Sequence, residues 1–292
     1  MSSPNLSASS ALPRLLIVGG SGRLGRLLRH AWAGGANEAP QLLWQARAGR
    51  AVAESDLIFD PLSEPEAYLS AIAQADVVLN LAGVVRGDAA QLARNTDLAL
   101  AAVAAAKGKP ILVASSAAVY GRAGAEPCAE ESQMMPIAPY GAAKAAMERA
   151  LLGASGVTVL RIGNVAGADA LLGAAPTLEP RQIDIFPAGH GPLRSYIGPQ
   201  ALAGALGHLV RLVAAGQPVP PCLNLALVGP VGMEALAEAA GLEWTPRAAP
   251  DGAIERVELA LERAQALGLV PDHPTTADAI INDLRGLEDL GA

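Results

Sequence analysis

This chain predicts an α/β fold: a doubly wound parallel sheet with helices on both faces, followed by a small C-terminal substrate-binding subdomain. Three observations carry that expectation. Short apolar runs alternate with helix-like segments from residue 14 to about residue 167, the rhythm of parallel strands joined by crossover helices. The first of these runs is followed at once by glycines at every third position, Gly19, Gly22 and Gly25. Aromatic residues make up only 3% of a chain that is 51% hydrophobic, so the core is built from Ala, Leu and Val, as suits a sheet covered by alanine-rich helices.

In chain order, RLLIVGG is a short buried strand and GRLGRLLRHAWA the helix after it. QLLWQAR and SDLIFD read as strands, EPEAYLSAIAQA as a helix and DVVLNLAG as another apolar strand. NTDLALAAVAAAKG is expected to be a helix ending on Gly108, with Lys107 beside its negative end. PILVASSAAVYG is a buried strand entering a loop, PYGAAKAAMERALL a helix and VTVLRIGNVAG a strand. From Ala168 to Pro199 the chain carries several Pro and Gly without a clear period, and reads as loops and short strands on the substrate side. QALAGALGHLVRLVAAG, GMEALAEAAG and VELALERAQALG are expected helices, and CLNLAL a strand. The expected organisation is a flexible tail at 1–13 and a Rossmann-type NAD(P)-binding domain at 14–167. Residues 168–292 are then mostly a substrate-side subdomain, with some elements returning to the first domain.

The glycines sit between a strand and a helix, the context that turns a glycine pattern into a phosphate cradle. A tight turn needs positive φ, missing Cβ atoms let backbone approach a pyrophosphate, and the last glycine lets helix pack on strand. The free N–H groups of the helix's first turn, around Arg23 and Leu24, then face the anion. The second strand reports the dinucleotide. A carboxylate at its end suits the 2′-hydroxyl of NAD, and an arginine the 2′-phosphate of NADP. Here Gln45 stands where an acid would sit and Arg47 follows, with Arg50 close by. NADP is therefore preferred, and NAD remains an alternative.

The bulk numbers limit what else the chain can be. A net charge of −7 argues against a nucleic-acid surface, which wants a basic stripe. The four histidines lack metal-site spacing and the two cysteines, Cys128 and Cys222, lie far apart, so no metal is expected and the thiols read as free. No apolar stretch reaches the length of a membrane helix, and the opening residues read as a loose tail. A cytoplasmic enzyme acting on a small molecule is the expectation.

The chemistry-bearing residues come later. Tyr140 and Lys144 stand four apart on a predicted helix, hence on one face. A phenol with a pKa of about 10 is a poor base, and a neighbouring ammonium is expected to lower that value. Tyr140 would then exchange a proton with a substrate oxygen, with Ser116, at the end of the SSAAVYG strand, donating to that same oxygen.

With GGSGRLG, LNLAG, SSAAVYG, PYGAAK, RIGNVAG and GPLRSYI in place, the chain resembles the extended short-chain dehydrogenases/reductases, the NAD(P)-dependent epimerase/dehydratase family. The resemblance implies Ser116, Tyr140 and Lys144 as the catalytic triad, Ser116 rather than Ser115 because it lies four before Tyr120. It also implies that Asn95 holds a relay water, although an N-cap before TDLALAAV is an equal reading. Asp60 and Leu62 would meet the adenine, with one family contact missing because Pro61 has no N–H. Leu81, Ala82 and Gly83 would run along the cofactor, and Asn164 beside the nicotinamide. Arg194 would grip a substrate phosphate or form a salt bridge across the subdomain, and Arg86 is a second candidate for substrate. Ala117 and Ala118 replace the acidic pair of sugar dehydratases, so dehydration is not expected.

Three functions stay open at this point. The first is a reductase or dehydrogenase on a small or sugar-like substrate. The second is a sugar-nucleotide epimerase that retains its cofactor, and the third a non-catalytic dinucleotide sensor. The alanine-rich helices also suggest a homodimer by resemblance.

Overall fold

The computed structural model describes residues 12–35, 39–122, 124–173 and 180–288. The expected tail therefore lies almost wholly outside the described residues. A seven-stranded sheet forms the centre, all its pairings parallel. Its strands are β1 (Arg14–Val18), β2 (Gln41–Ala46), β3 (Leu57–Ile58), β4 (Val77–Asn80), β5 (Ile111–Ser116), β6 (Val157–Ile162) and β10 (Cys222–Leu225), in the spatial order β10-β6-β5-β4-β1-β2-β3. Helices α1 (Arg23–Ala33), α2 (Pro65–Ala73), α3 (Ala89–Ala106), α4 (Pro139–Ala150) and α5 (Pro199–Ala214) cover it. Alternation along β1 shows why the strand is apolar throughout: Leu15 and Ile17 enter the core on one face, Leu16 and Val18 the core on the other. On the first face Trp32 of α1 donates from its indole to Ala203 O of α5 at 3.1 Å, fastening the two helices together.

A third apolar cluster, around Ile183, Tyr196, Leu236 and Ile280, belongs to the second half of the chain. There β7 (Asn164–Val165), β9 (Leu193–Ile197), β11 (Pro230–Gly232) and β13 (Arg256–Val257) form one small sheet. Strands β8 (Arg181–Ile185) and β12 (Trp244–Ala248) pair separately. Helices α6 (Met233–Ala240), α7 (Glu262–Ala266) and α8 (Ala277–Glu288) complete the described chain.

Several expectations change. VTVLRIGNVAG is not one strand: it breaks at Gly163, where a Cβ would lie 2.6 Å from Ser195 O, and the chain then turns to pair β7 with β9. VELALERAQALG is helical only over Glu262–Ala266, its first residue, Val257, ending β13. Helix α8 and strand β12 were not expected. Helix α3 starts six residues before Asn95: Asp88 caps it, accepting from Gln91 N–H while the Gln91 side chain accepts from Asp88 N–H. The N-cap reading of Asn95 is therefore overturned. At its other end Lys107 takes the left-handed conformation (φ 48°) before Gly108.

Candidate active site

Strand order reverses between β1 and β4, and a cleft opens outside the carboxyl ends of the strands at this point, where such sheets bind ligands. A cavity of about 580 Å³ there touches the glycine turn, α1, the segments after β4 and β6, the end of β5, and α3 and α4. Gly19 has a φ of +86°, and a Cβ on it would lie 2.7 Å from Ala82 N. At Gly25 a Cβ would lie 2.6 Å from Gly20 O. Gly22 caps α1 without a side chain, and the N–H groups of Arg23, Leu24 and Gly25 meet no acceptor among the described residues. These three residues line the cavity. Free N–H groups at the positive end of an 11-residue helix fit the pyrophosphate of a dinucleotide. Arg23 also reaches across to donate to Ala168 O at 3.3 Å.

The other end of the cavity is lined by Asn95, Ser116, Tyr140, Lys144 and Asn164. Pro139 and Tyr140 open α4, and Lys144 follows one turn later, buried. Its ammonium donates to Ala114 O at 2.8 Å. A Cβ at Gly83 would stand 2.7 Å from Asn95 Oδ1 and 3.5 Å from Lys144 Nζ, so the missing side chain leaves room where α3 and α4 meet. Asn95 is held at both ends of its amide, accepting from Val84 N–H (3.1 Å) and donating to Val84 O (2.9 Å) and Leu92 O (2.8 Å). The two serines at the end of β5 part company. Ser115 Oγ is buried and donates to Glu148. Ser116 Oγ accepts from Ala118 N–H at 3.2 Å and lines the cavity together with Tyr140.

The electrostatics correct one expectation. Burial raises the Tyr140 pKa above the usual phenol value, and the nearby Ser116 hydroxyl only partly opposes it. Lys144 is not among the groups that lower it. Burial instead acts on Lys144 itself and pulls its pKa down to about 8, with the charge of Glu148 pushing it back up. In the protein as it stands, the phenol is fully protonated at neutral pH.

The sequence profile of the NAD-dependent epimerase/dehydratase family matches residues 15–183, more than half of the chain. The protein belongs to this family. Membership makes it an enzyme that uses a nicotinamide dinucleotide. A comparison with curated proteins finds no sequence match. Solved structures share the fold. The UDP-glucose 4-epimerase of Brucella ovis, in complex with NAD, is 20% identical with a TM-score of 0.74, covering 96% of this chain and 98% of its own. The UDP-glucose-4-epimerase of Stenotrophomonas maltophila, with NAD and formylated UDP-arabinopyranose bound, is 20% identical with a TM-score of 0.72, covering 95% and 98%. TunA, an NAD-dependent NDP-hexosamine 5,6-dehydratase, is 18% identical with a TM-score of 0.71, again covering 95% and 98%.

Other expected contacts of this family member are not among the residues that line the cavity. Arg47, Asp60, Leu62 and Ala82 do not line it. Strand β2 ends at Ala46, and Arg47 and Arg50 stand exposed on the turn beyond. Gln45 is buried, accepting from Gly19 N–H at 2.8 Å and donating to Phe59 O at 2.6 Å. Asp60 accepts from Leu62 N–H at 2.9 Å, so that N–H is already used. Among the described residues, Arg194 neither lines the cavity nor forms a salt bridge. Its guanidinium donates to Leu193 O, Glu255 O and Ile254 O at 2.8, 3.0 and 2.6 Å, stitching β9 to the segment before β13. Arg86 does line the cavity and has no side-chain partner among the described residues. Sequence reasoning missed Asp169, which lines the cavity and accepts from Tyr196 Oη at 2.8 Å, and Glu148 with Arg161. Glu148 had a signal, its place four residues after Lys144; Asp169 had none.

Proposed function

We propose that the enzyme is an oxidoreductase, preferring NADP(H), that interconverts a hydroxyl and a carbonyl on a small or sugar-like substrate, with Tyr140 as acid/base. The observation that supports it is the convergence of Ser116, Tyr140 and Lys144 at one end of a cleft whose other end presents free N–H groups. When bound, a nicotinamide dinucleotide supplies or accepts the hydride. Ser116 and Tyr140 hold the substrate oxygen between them. In reduction the protonated phenol gives its proton to that oxygen. In oxidation the phenolate must form first. Because burial raises the Tyr140 pKa, oxidation speeds up as pH rises, while reduction is already supplied with its acid at neutral pH.

The NADP preference rests on the corner beyond β2. Arg47 and Arg50 are exposed there, matched to a 2′-phosphate. The nearby acid Asp56 is committed to Arg29 (2.8 Å) and to Val52 N–H (2.8 Å). The epimerase reading is weaker, since Arg194 spends its donors on backbone carbonyls; Arg86 is the basic group that meets substrate. Incubation with NADPH or NADH and a panel of aldehydes, ketones and sugars, followed by reduced-nicotinamide absorbance, tests the reading. Tyr140→Phe should lower turnover by about 10²–10⁴-fold and leave dinucleotide affinity intact. Retained turnover would overturn it, as would a cofactor that co-purifies and never turns over.

A further inference from the structure

Beneath the reacting groups lies a buried network that the proposed chemistry leaves unused. Glu148 stands one helical turn after Lys144 on the same face of α4. Arg161 of β6 clamps it, donating from Nε at 3.0 Å and from Nη2 at 2.7 Å to Glu148 Oε2, and Ser115 donates to its other oxygen. The remaining Arg161 nitrogen donates to Tyr120 Oη at 2.9 Å and to Glu130 O at 2.9 Å. Tyr120 in turn donates to Asn224 of β10 at 2.7 Å. The same carboxylate therefore touches the strand that ends in Ser116, the strand that leads to Asn164, and the helix that carries Tyr140 and Lys144. A buried ion pair stabilises a fold weakly at best, so its position invites a role beyond cohesion.

We propose that Glu148 is a positioning residue for the reacting centre: it holds the Lys144 amine in its cationic form and locks the Ser116 end of β5 against α4, with Arg161 as its clamp. The inference rests on the reading of Lys144 as one of the reacting trio. The Lys144 ammonium donates to Ala114 O at 2.8 Å and meets Met147 Sδ at 3.8 Å; Tyr140 and Glu148 lie one turn before and after it on α4, Asn95 of α3 faces it beside Gly83, and Arg161 of β6 stands behind Glu148. Tyr120 and Cys222 lie further along the network. Of these, Glu148 is the one whose charge favours the ammonium. Arg161 withholds part of that charge by pairing with it.

The chain offers a direct test, because it contains only three lysines, Lys107, Lys109 and Lys144. In the full-length protein labelled with ε-¹³C-lysine, an NMR titration follows Lys144 against the other two. Glu148→Gln should shift the Lys144 midpoint down by about one pH unit, a tenfold loss of proton affinity. Arg161→Gln should shift it up, because the carboxylate is then unshared. A merely structural network would not move the midpoint in opposite directions. Where a lone buried charge prevents folding, the double variant Glu148→Gln with Arg161→Gln removes both charges together and should still lower the midpoint. An unchanged midpoint in Glu148→Gln or in the double variant overturns the proposal. The titration needs no substrate, so its failure is distinct from retained turnover in Tyr140→Phe, which would sink the functional reading alone.

Discussion

The two ends of the cleft are built differently. At the reaction end, Asn95, Ser116, Tyr140 and Lys144 stand on helices and a strand, and Asn95, Ser116 and Lys144 are hydrogen-bonded to their neighbours. Beyond the glycine turn, on the side proposed for the adenosine, Arg47, Arg50, Asp60 and Leu62 stand on turns after β2 and β3, outside the cavity. Geometry is fixed where chemistry must be aligned to fractions of an ångström. Long arginine side chains on a turn need only reach a charge, and their exposure costs little.

Variants at the two ends should therefore differ in kind. The largest effect belongs to Tyr140→Phe at the reaction end: turnover should fall by about 10²–10⁴-fold, the usual worth of a positioned acid, with NADPH affinity measured by fluorescence unchanged. Next comes Gly25→Val between the two ends. Its side chain meets the backbone of Gly20, so both NADPH and NADH binding should be lost and the unfolding temperature lowered in calorimetry. At the adenosine end, Arg47→Ala with Arg50→Ala should weaken NADPH by about tenfold (roughly 1.4 kcal/mol) and leave NADH alone; equal losses for both would move the 2′-phosphate elsewhere. The smallest effect is Arg194→Met, which removes its three bonds to backbone carbonyls. It should lower thermal stability and leave substrate KM untouched, while Arg86→Met raises KM. The pH profile sharpens the comparison further. Oxidation should climb with pH because the Tyr140 pKa is raised; a rate already level at neutral pH would mean that a bound ligand reverses the effect of burial.

The contrast also marks what was readable in advance. Gly19, Gly22 and Gly25 were singled out by their place between strand and helix, Tyr140 and Lys144 by their helical spacing and Ser116 by the family resemblance, and all six line one cavity. Asn95 was legible as a candidate but its helix start was not, since DAAQLARN holds two plausible caps and only Asp88 has the reciprocal Gln91. Arg194 misled because a strand arginine looks the same whether it faces a ligand or backbone carbonyls. The second half of the chain was least legible: β8, β9, β12 and β13 are short and pair with strands distant in sequence, so no local period announces them.

The sequence by itself determined the parallel sheet, the glycine turn and the helix bearing Tyr140 and Lys144, because period, capping chemistry and positive φ are local properties of a chain. Tertiary structure alone decided the upward shift of the Tyr140 pKa, the separation of Ser115 from Ser116, the commitment of Arg194 to the backbone, and the seat of Glu148 against Arg161. Burial and hydrogen-bond partners are set by residues dozens of positions away, and desolvation acts on whatever the fold encloses.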